Sequence, residues 1–190
     1  MTQQDNSVLH GTMLATPQAV TERIEEIASS VIARYKGKNP LFVCLLRGGA
    51  PFASRLMFAI VRQDPYFHPE LDYMTIKTYA DERTSKPPEL VMDLSPSTKA
   101  GGRLVVLLDD VLDKGVTADF AERTLLETHA AGAVELIVLI QKKQPRKVYQ
   151  AATLFGFESP PDWLTGMGLD DARIAREANR WAGYVAIASE

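Results

Sequence analysis

The chain has 190 residues, 46% hydrophobic and 24% charged, with a formal net charge of −3. That length suits one domain with room for a sizeable apolar core, and the acidic balance argues against the basic footprint of a nucleic-acid partner. The longest apolar runs, such as residues 104–108 and 136–140, are too short to span a bilayer.

The polar start Thr2-Gln3-Gln4-Asp5-Asn6 leaves no secretory hydrophobic region after Met1. The single cysteine, Cys44, can form no internal disulfide, which suits a reducing compartment. The expectation is a soluble cytoplasmic protein with neither a nucleic-acid nor a membrane partner.

In chain order, a first helix is predicted from Thr16 as N-cap with Pro17 at its first position. Val20, Ile24, Ile27, Val31 and Ile32 recur at helical spacing, and Gly37 offers a stop. Leu41–Leu46 is a continuous apolar run, the pattern of a strand buried on both faces. A Gly48-Gly49 turn follows, then a helix over 51–61 and a strand over 71–79. Residues 80–99 form a polar interruption whose apolar middle, Leu90-Val91-Met92, can pair as a short edge strand. Loops of this length inside a compact domain are often functional lids.

A second buried-type strand is predicted over 103–108, then an acidic turn and a helix to about Ala131, closed by Gly132. Further strands are predicted over 134–141, 154–157 and 184–188. Strands alternating with helices imply an α/β fold with a mainly parallel twisted sheet. No internal repeat or linker divides the chain, so residues 1–190 read as a single domain.

The chemistry concentrates in the acidic turn. Ligands of open parallel sheets bind beyond the carboxyl ends of the strands, and Asp109, Asp110 and Asp113 sit at such an end. Gly115 lets the backbone approach a ligand, and the N–H groups of Lys114, Gly115, Val116 and Thr117 would face a phosphate at a helix N-terminus. The same residues also fit an acidic, solvated loop that merely caps a helix. A Walker loop and a dinucleotide fingerprint are both absent.

The segment Val105-Val106-Leu107-Leu108-Asp109-Asp110-Val111-Leu112-Asp113-Lys114-Gly115-Val116-Thr117 resembles the phosphoribosyl pyrophosphate motif of type I phosphoribosyltransferases. Lys114 departs from it, standing where a threonine is usual. From Leu41 to Ile187 the chain is similar to the hypoxanthine-guanine phosphoribosyltransferases. That resemblance implies a type I phosphoribosyltransferase-like fold: a core over about 38–150, a small hood subdomain from about 1–20 and 151–190, and a mobile lid over about 80–99.

The resemblance also implies roles. Leu46-Arg47-Gly48-Gly49 resembles the family's pyrophosphate loop, in which the peptide before the basic residue is often cis. Thr78-Tyr79 resembles the pair that opens the lid. Lys142 matches the lysine that donates to a purine 6-oxo group, with Lys143 the alternative if the register is one residue off. In Pro161-Asp162-Trp163-Leu164, Trp163 matches the aromatic that stacks on the base, and the backbone near Leu164 would bond its edge. Asp170 matches a magnesium-associated acid. Arg176 falls at the spacing of a pyrophosphate-binding arginine, and Arg173 competes with it.

The implied activity is transfer of 5-phosphoribosyl from phosphoribosyl pyrophosphate to N9 of hypoxanthine or guanine. It would use Mg2+, held with Asp109, Asp110 and Asp170, with Asp113 as general base. A homodimer or homotetramer is implied. Alternatives are a xanthine-preferring transferase and a phosphoribosyltransferase-like regulator that binds nucleic acid. His10, His68 and His129 fit no ligand or triad spacing, and mid-strand Cys44 reads as core.

Overall fold

Apolar runs with alternating faces become strands covered on both sides, and everything else is arranged around them. The structure, a computed structural model, describes residues 11–78, 87–146, 148–149, 151–169 and 179–188. In chain order the elements are β1 (Gly11–Ala15), α1 (Pro17–Tyr35), β2 (Leu41–Leu46), α2 (Ala50–Gln63), β3 (Glu70–Lys77) and β4 (Glu89–Met92). They continue with β5 (Leu104–Leu112), α3 (Val116–Glu127), β6 (Ala133–Lys142), β7 (Leu154–Ser159), β8 (Leu164–Thr165) and β9 (Val185–Ala188).

The main sheet has six strands in the order β4-β3-β2-β5-β6-β7. All neighbours are parallel except the edge strand β4, which runs antiparallel to β3. Side chains alternate across it with the strand period of two. Phe42, Cys44, Val106, Leu108, Ile137 and Leu139 face α1 and α2 in one apolar cluster. Leu41, Val43, Leu45, Val105, Leu107, Leu136 and Val138 face α3 in the other. The fold is thus mixed α/β, a mostly parallel sheet flanked by helices, as expected.

Helix α1 begins where the capping pattern puts it: Thr16 accepts from the Ala19 N–H at 3.1 Å, and Pro17 opens the first turn. At its far end, buried Tyr35 donates its hydroxyl to Glu135 Oε2 at 2.7 Å, while Arg34 reaches both oxygens of the same carboxylate. Arg23 adds donations to the carbonyls of Phe155 and Gly156 on β7. The helix therefore packs on the sheet and α2.

Three expectations change. Strand β5 runs on through the acid pair to Leu112, because its ladder with β6 continues to Val111↔Ile140 and Leu112↔Gln141. Helix α3 ends at Glu127, short of Ala131, whose neighbour Ala130 turns left-handed at φ 52°. The core reaches Ser159, since β7 pairs with β6 in the main sheet. The edge strand expected around Leu90-Val91-Met92 is present as β4, paired with β3; beyond it Leu94 is buried and Ser95 N donates to Asp72 at 2.9 Å. Tyr79 and residues 80–86 lie outside the described residues.

A second, antiparallel sheet of three strands, β1-β9-β8, sits apart from the first. Short strands β1 and β8 exist only through their pairing with β9. No helix among the described residues is long and apolar enough to cross a membrane.

Candidate active site

Strand order reverses between β2 and β5. The chain moves outward from β2 to β3 and β4, then returns to the other side of β2 to lay down β5, β6 and β7. In open α/β sheets that switch leaves a crevice beyond the strand ends, where ligands bind. The two loops that leave β2 and β5 border this crevice, and they carry the residues singled out from the sequence.

The β2 loop holds a cis peptide at Leu46–Arg47. Arg47 is exposed, Gly48 partly so, and Gly49 is buried. Glycine is required here by close approach. A Cβ on Gly49 would lie 2.7 Å from Leu45 O and 3.0 Å from Leu108 O, and one on Gly48 would overlap the Asp110 carboxylate. The loop from β2 is thus pressed directly onto the acids of β5.

Asp109 and Asp110 stand side by side at the end of β5, with the Asp110 N–H donating to Asp109 Oδ1 at 3.0 Å. Burial first, then the neighbouring Asp110 charge, hold the Asp109 carboxyl well above its usual range. Burial also raises Asp110, against a favourable charge from Arg180. Adjacent carboxylates, Asp110 buried and Asp109 half-buried, fit a hard divalent cation, which takes oxygen ligands and keeps waters or substrate oxygens in its shell. No group of three acid, histidine or cysteine side chains among the described residues could share such an ion. Asp170 lies outside the described residues.

Gly115, left-handed at φ 83°, caps α3, and a Cβ there would overlap the Val148 carbonyl. Lys114 and Val116 are exposed beside it, and Thr117 is half-buried. The first N–H groups of α3 face outward without helical partners, a ready anion site.

Lys142, at the end of β6, is buried, and its Nζ lies 3.2 Å from Asp113 Oδ2. The residue proposed to read the base and the residue proposed as general base thus meet in one ion pair. Lys143 points elsewhere, pairing with Glu158 at 2.8 Å. Trp163 is exposed next to buried Leu164, which sits opposite Ile187 in the small sheet. Thr78 is exposed just after β3. Arg173 and Arg176 lie outside the described residues.

Three residues escaped the sequence reading. Gln144 donates its side-chain amide to Asp113 Oδ1. Arg146 donates to Asp113 O at 2.7 Å, to Leu112 O at 3.1 Å and to the Lys142 carbonyl, joining the ends of β5 and β6. Arg180, itself buried, donates to Gly168 O at 2.8 Å. Their proximity to Lys142 in sequence was a signal for the first two; Arg180 had none.

The sequence profile of the phosphoribosyl transferase domain matches residues 10–172. A hypoxanthine-guanine phosphoribosyltransferase of Lactococcus lactis is 30% identical over 159 residues, covering 83% of this chain and 82% of that protein. A bifunctional TilS/HprT protein of Listeria innocua is 32% identical over 165 residues, 86% of this chain, but this chain spans only 24% of that protein. Among solved structures, a hypoxanthine phosphoribosyltransferase from Staphylococcus aureus superposes with a TM-score of 0.79 at 24% identity, covering 93% of this chain and 90% of that one. One from Trypanosoma cruzi gives 0.81 at 21% identity, covering 99% and 95%. With this match across most of its length, the chain belongs to the phosphoribosyl transferase domain family.

Proposed function

We propose that the protein moves 5-phosphoribosyl from phosphoribosyl pyrophosphate to N9 of a 6-oxopurine, hypoxanthine or guanine, yielding IMP or GMP and pyrophosphate. Purine salvage in the cytoplasm is the corresponding role. One observation carries the choice of acceptor: a buried ammonium, Lys142, held 3.2 Å from Asp113 beside the acid pair. An ammonium only donates hydrogen bonds, so it favours a 6-keto acceptor over the 6-amino group of adenine. The relatives named as hypoxanthine-guanine phosphoribosyltransferases support the same reading.

In this reading Asp109 and Asp110 hold the ribose 2′- and 3′-hydroxyls, directly or through magnesium. Magnesium, when bound, supplies positive charge to the sugar hydroxyls and the leaving group. Gly115 to Thr117 cradle the 5′-phosphate with backbone N–H groups, and exposed Lys114 adds charge where a hydroxyl is usual. Arg47 and the backbone of Gly48 receive the pyrophosphate, with Arg176 as a further cation. Pyrophosphate leaves C1′ as positive charge grows on the sugar, and N9 of the purine attacks. Asp113 takes the purine proton at N7, and Lys142 keeps the 6-oxygen in place; with three N–H donors it can serve Asp113 and the base together. Trp163 stacks on the purine face, a contact of roughly 1–3 kcal/mol per base.

The small β1-β9-β8 sheet would form the hood over the base, and the segment opened by Thr78 and Tyr79 the lid. A homodimer or homotetramer is the proposed assembly. Two exposed aromatics, Phe58 and Trp181, support it, and light scattering reads it.

The test is turnover with phosphoribosyl pyrophosphate and Mg2+, offering hypoxanthine, guanine, xanthine and adenine in parallel. Turnover of hypoxanthine or guanine, none with adenine and loss on chelation are the expected results. Preference for xanthine would move the assignment within the same site. Folded protein that turns over none of the four would overturn the enzyme reading.

A further inference from the structure

We propose that Arg180 is a positioning residue for the phosphoribosyl pyrophosphate half of the site, holding the β2 loop against the acid pair of β5 through the turn at Gly168. The inference rests on the function proposed above.

The argument is a chain of contacts. Arg180 is 6% exposed and donates through Nη1 to the Gly168 carbonyl at 2.8 Å. The Gly168 N–H returns a bond to the Arg180 carbonyl at 2.8 Å, so the two residues grip each other from both sides. The turn they fix is tight. Leu169 N donates to Gly166 O at 3.0 Å, Met167 N donates to Ala182 O at 2.9 Å, and Gly168 is left-handed at φ 99°.

Gly168 in turn lies so close to Gly48 that a Cβ on it would overlap the Gly48 carbonyl and meet Pro51 Cδ at 3.1 Å. Gly48 lies just as close to the Asp110 carboxylate. Four groups therefore touch in series: the Arg180 guanidinium, which also borders a cavity lined by Pro51 and Met167, the Gly168 peptide, the Gly48 peptide and the Asp110 carboxylate. The positive charge of Arg180 also reaches Asp110 through space. Packed interiors transmit a displacement of this kind because they hold no free volume to absorb it.

Both downstream groups belong to the sugar-pyrophosphate half of the site: the Arg47-Gly48 loop and the Asp109-Asp110 pair. The base half stands on other supports. Lys142 is held by Asp113, and the Trp163 carbonyl accepts from Ala188 N at 2.9 Å. Loss of Arg180 should therefore let the β2 loop drift from the acids and weaken phosphoribosyl pyrophosphate while leaving the purine nearly untouched. A general loosening of the fold would weaken both.

The experiment compares wild type with Arg180→Met, which keeps the length but removes charge and donor, and Arg180→Lys, which keeps the charge. KM is measured for each substrate, and phosphoribosyl pyrophosphate binding is measured directly by calorimetry with Mg2+. Arg180→Met is expected to weaken phosphoribosyl pyrophosphate about tenfold or more by both readouts, with KM for hypoxanthine changed by less than about twofold. Arg180→Lys is expected to recover to within about threefold of wild type. If circular dichroism shows Arg180→Met unfolded, Arg180→Gln, which keeps a donor for Gly168, is read by the same split. Unchanged phosphoribosyl pyrophosphate affinity in a folded variant overturns the inference, and so does a parallel rise in both KM values. Wild type that neither binds phosphoribosyl pyrophosphate nor turns it over overturns the functional reading and takes this inference with it. An active wild type with an unaltered variant overturns the inference alone.

Discussion

Asp113 meets Lys142 through one carboxylate oxygen and Gln144 through the other. Each oxygen still has a second acceptor site, so a purine N–H can reach it without either partner being expelled. Its backbone carbonyl is tied down by Arg146, which limits how far the side chain can swing. In the role proposed for it, Asp113 would contribute through its charge and its aim, and Asp113→Asn keeps the size while removing the proton acceptor. Turnover of hypoxanthine is expected to fall about 10²–10⁴ fold with circular dichroism unchanged. Near-normal turnover would remove Asp113 from the role. The acids Asp109, Asp110 and Asp113 were legible because they lie close together in sequence around one strand end. Gln144, Arg146 and Arg180 were not, because their bonds run to backbone carbonyls and carboxylates that only the folded chain brings near. Lys142 was found by position relative to the motif. Its burial and its partner were invisible, since a lysine ending a strand usually stands in water.

At the scale of elements, the strands covered on both faces were the easiest to read. Leu41–Leu46 and the run within β6 show no polar break, and only double burial tolerates that. β5 was cut short because two acids inside a strand look like a loop, whereas the ladder with β6 continues beneath them. β1 and β8 are too short to carry a period and depend on β9 for their hydrogen bonds. The link between α1 and β6 was equally hidden. It runs through Glu135, on which Arg34 and the buried Tyr35 hydroxyl converge. Burial alone would raise this carboxyl, but the Arg34 and Tyr35 hydrogen bonds and the Arg34 and Lys38 charges hold it below its usual value. A depressed carboxyl adds stability above its unfolded pKa and loses it as pH falls through the folded one. Glu135→Gln is therefore expected to lower Tm at pH 7, with the gap to wild type closing as the pH is taken below the ordinary glutamate range. Calorimetric scans across that range decide it: a gap that stays constant in acid would mean the side chain acts by packing and not by charge.

For the whole molecule, the acid pair has the opposite sign. Burial and the adjacent Asp110 charge raise Asp109, so the folded protein binds its proton more readily than the unfolded chain does. Such a group lowers stability as the pH rises past its unfolded value, by a penalty that grows until the folded-state pKa is passed. The rest of the fold has to sustain it: two apolar clusters on either face of the sheet, the capped α1, and glycines that let backbone press against carboxylate. Under the function proposed above, a cation or a set of hydroxyl donors would relieve the pair when substrate arrives. Stability held back at a site in this way is a common cost of function. Asp109→Asn should therefore do two things at once. Without ligand, Tm should rise by about 2–4 °C, the change that about 1 kcal/mol produces in a chain of this size. With saturating phosphoribosyl pyrophosphate and Mg2+, wild type should gain Tm by mass action while the variant gains little, because the stabilisation follows ligand affinity. A variant that melts lower than wild type without ligand would show instead that the Asp109 carboxylate, through its bond from the Asp110 N–H, supports the end of β5.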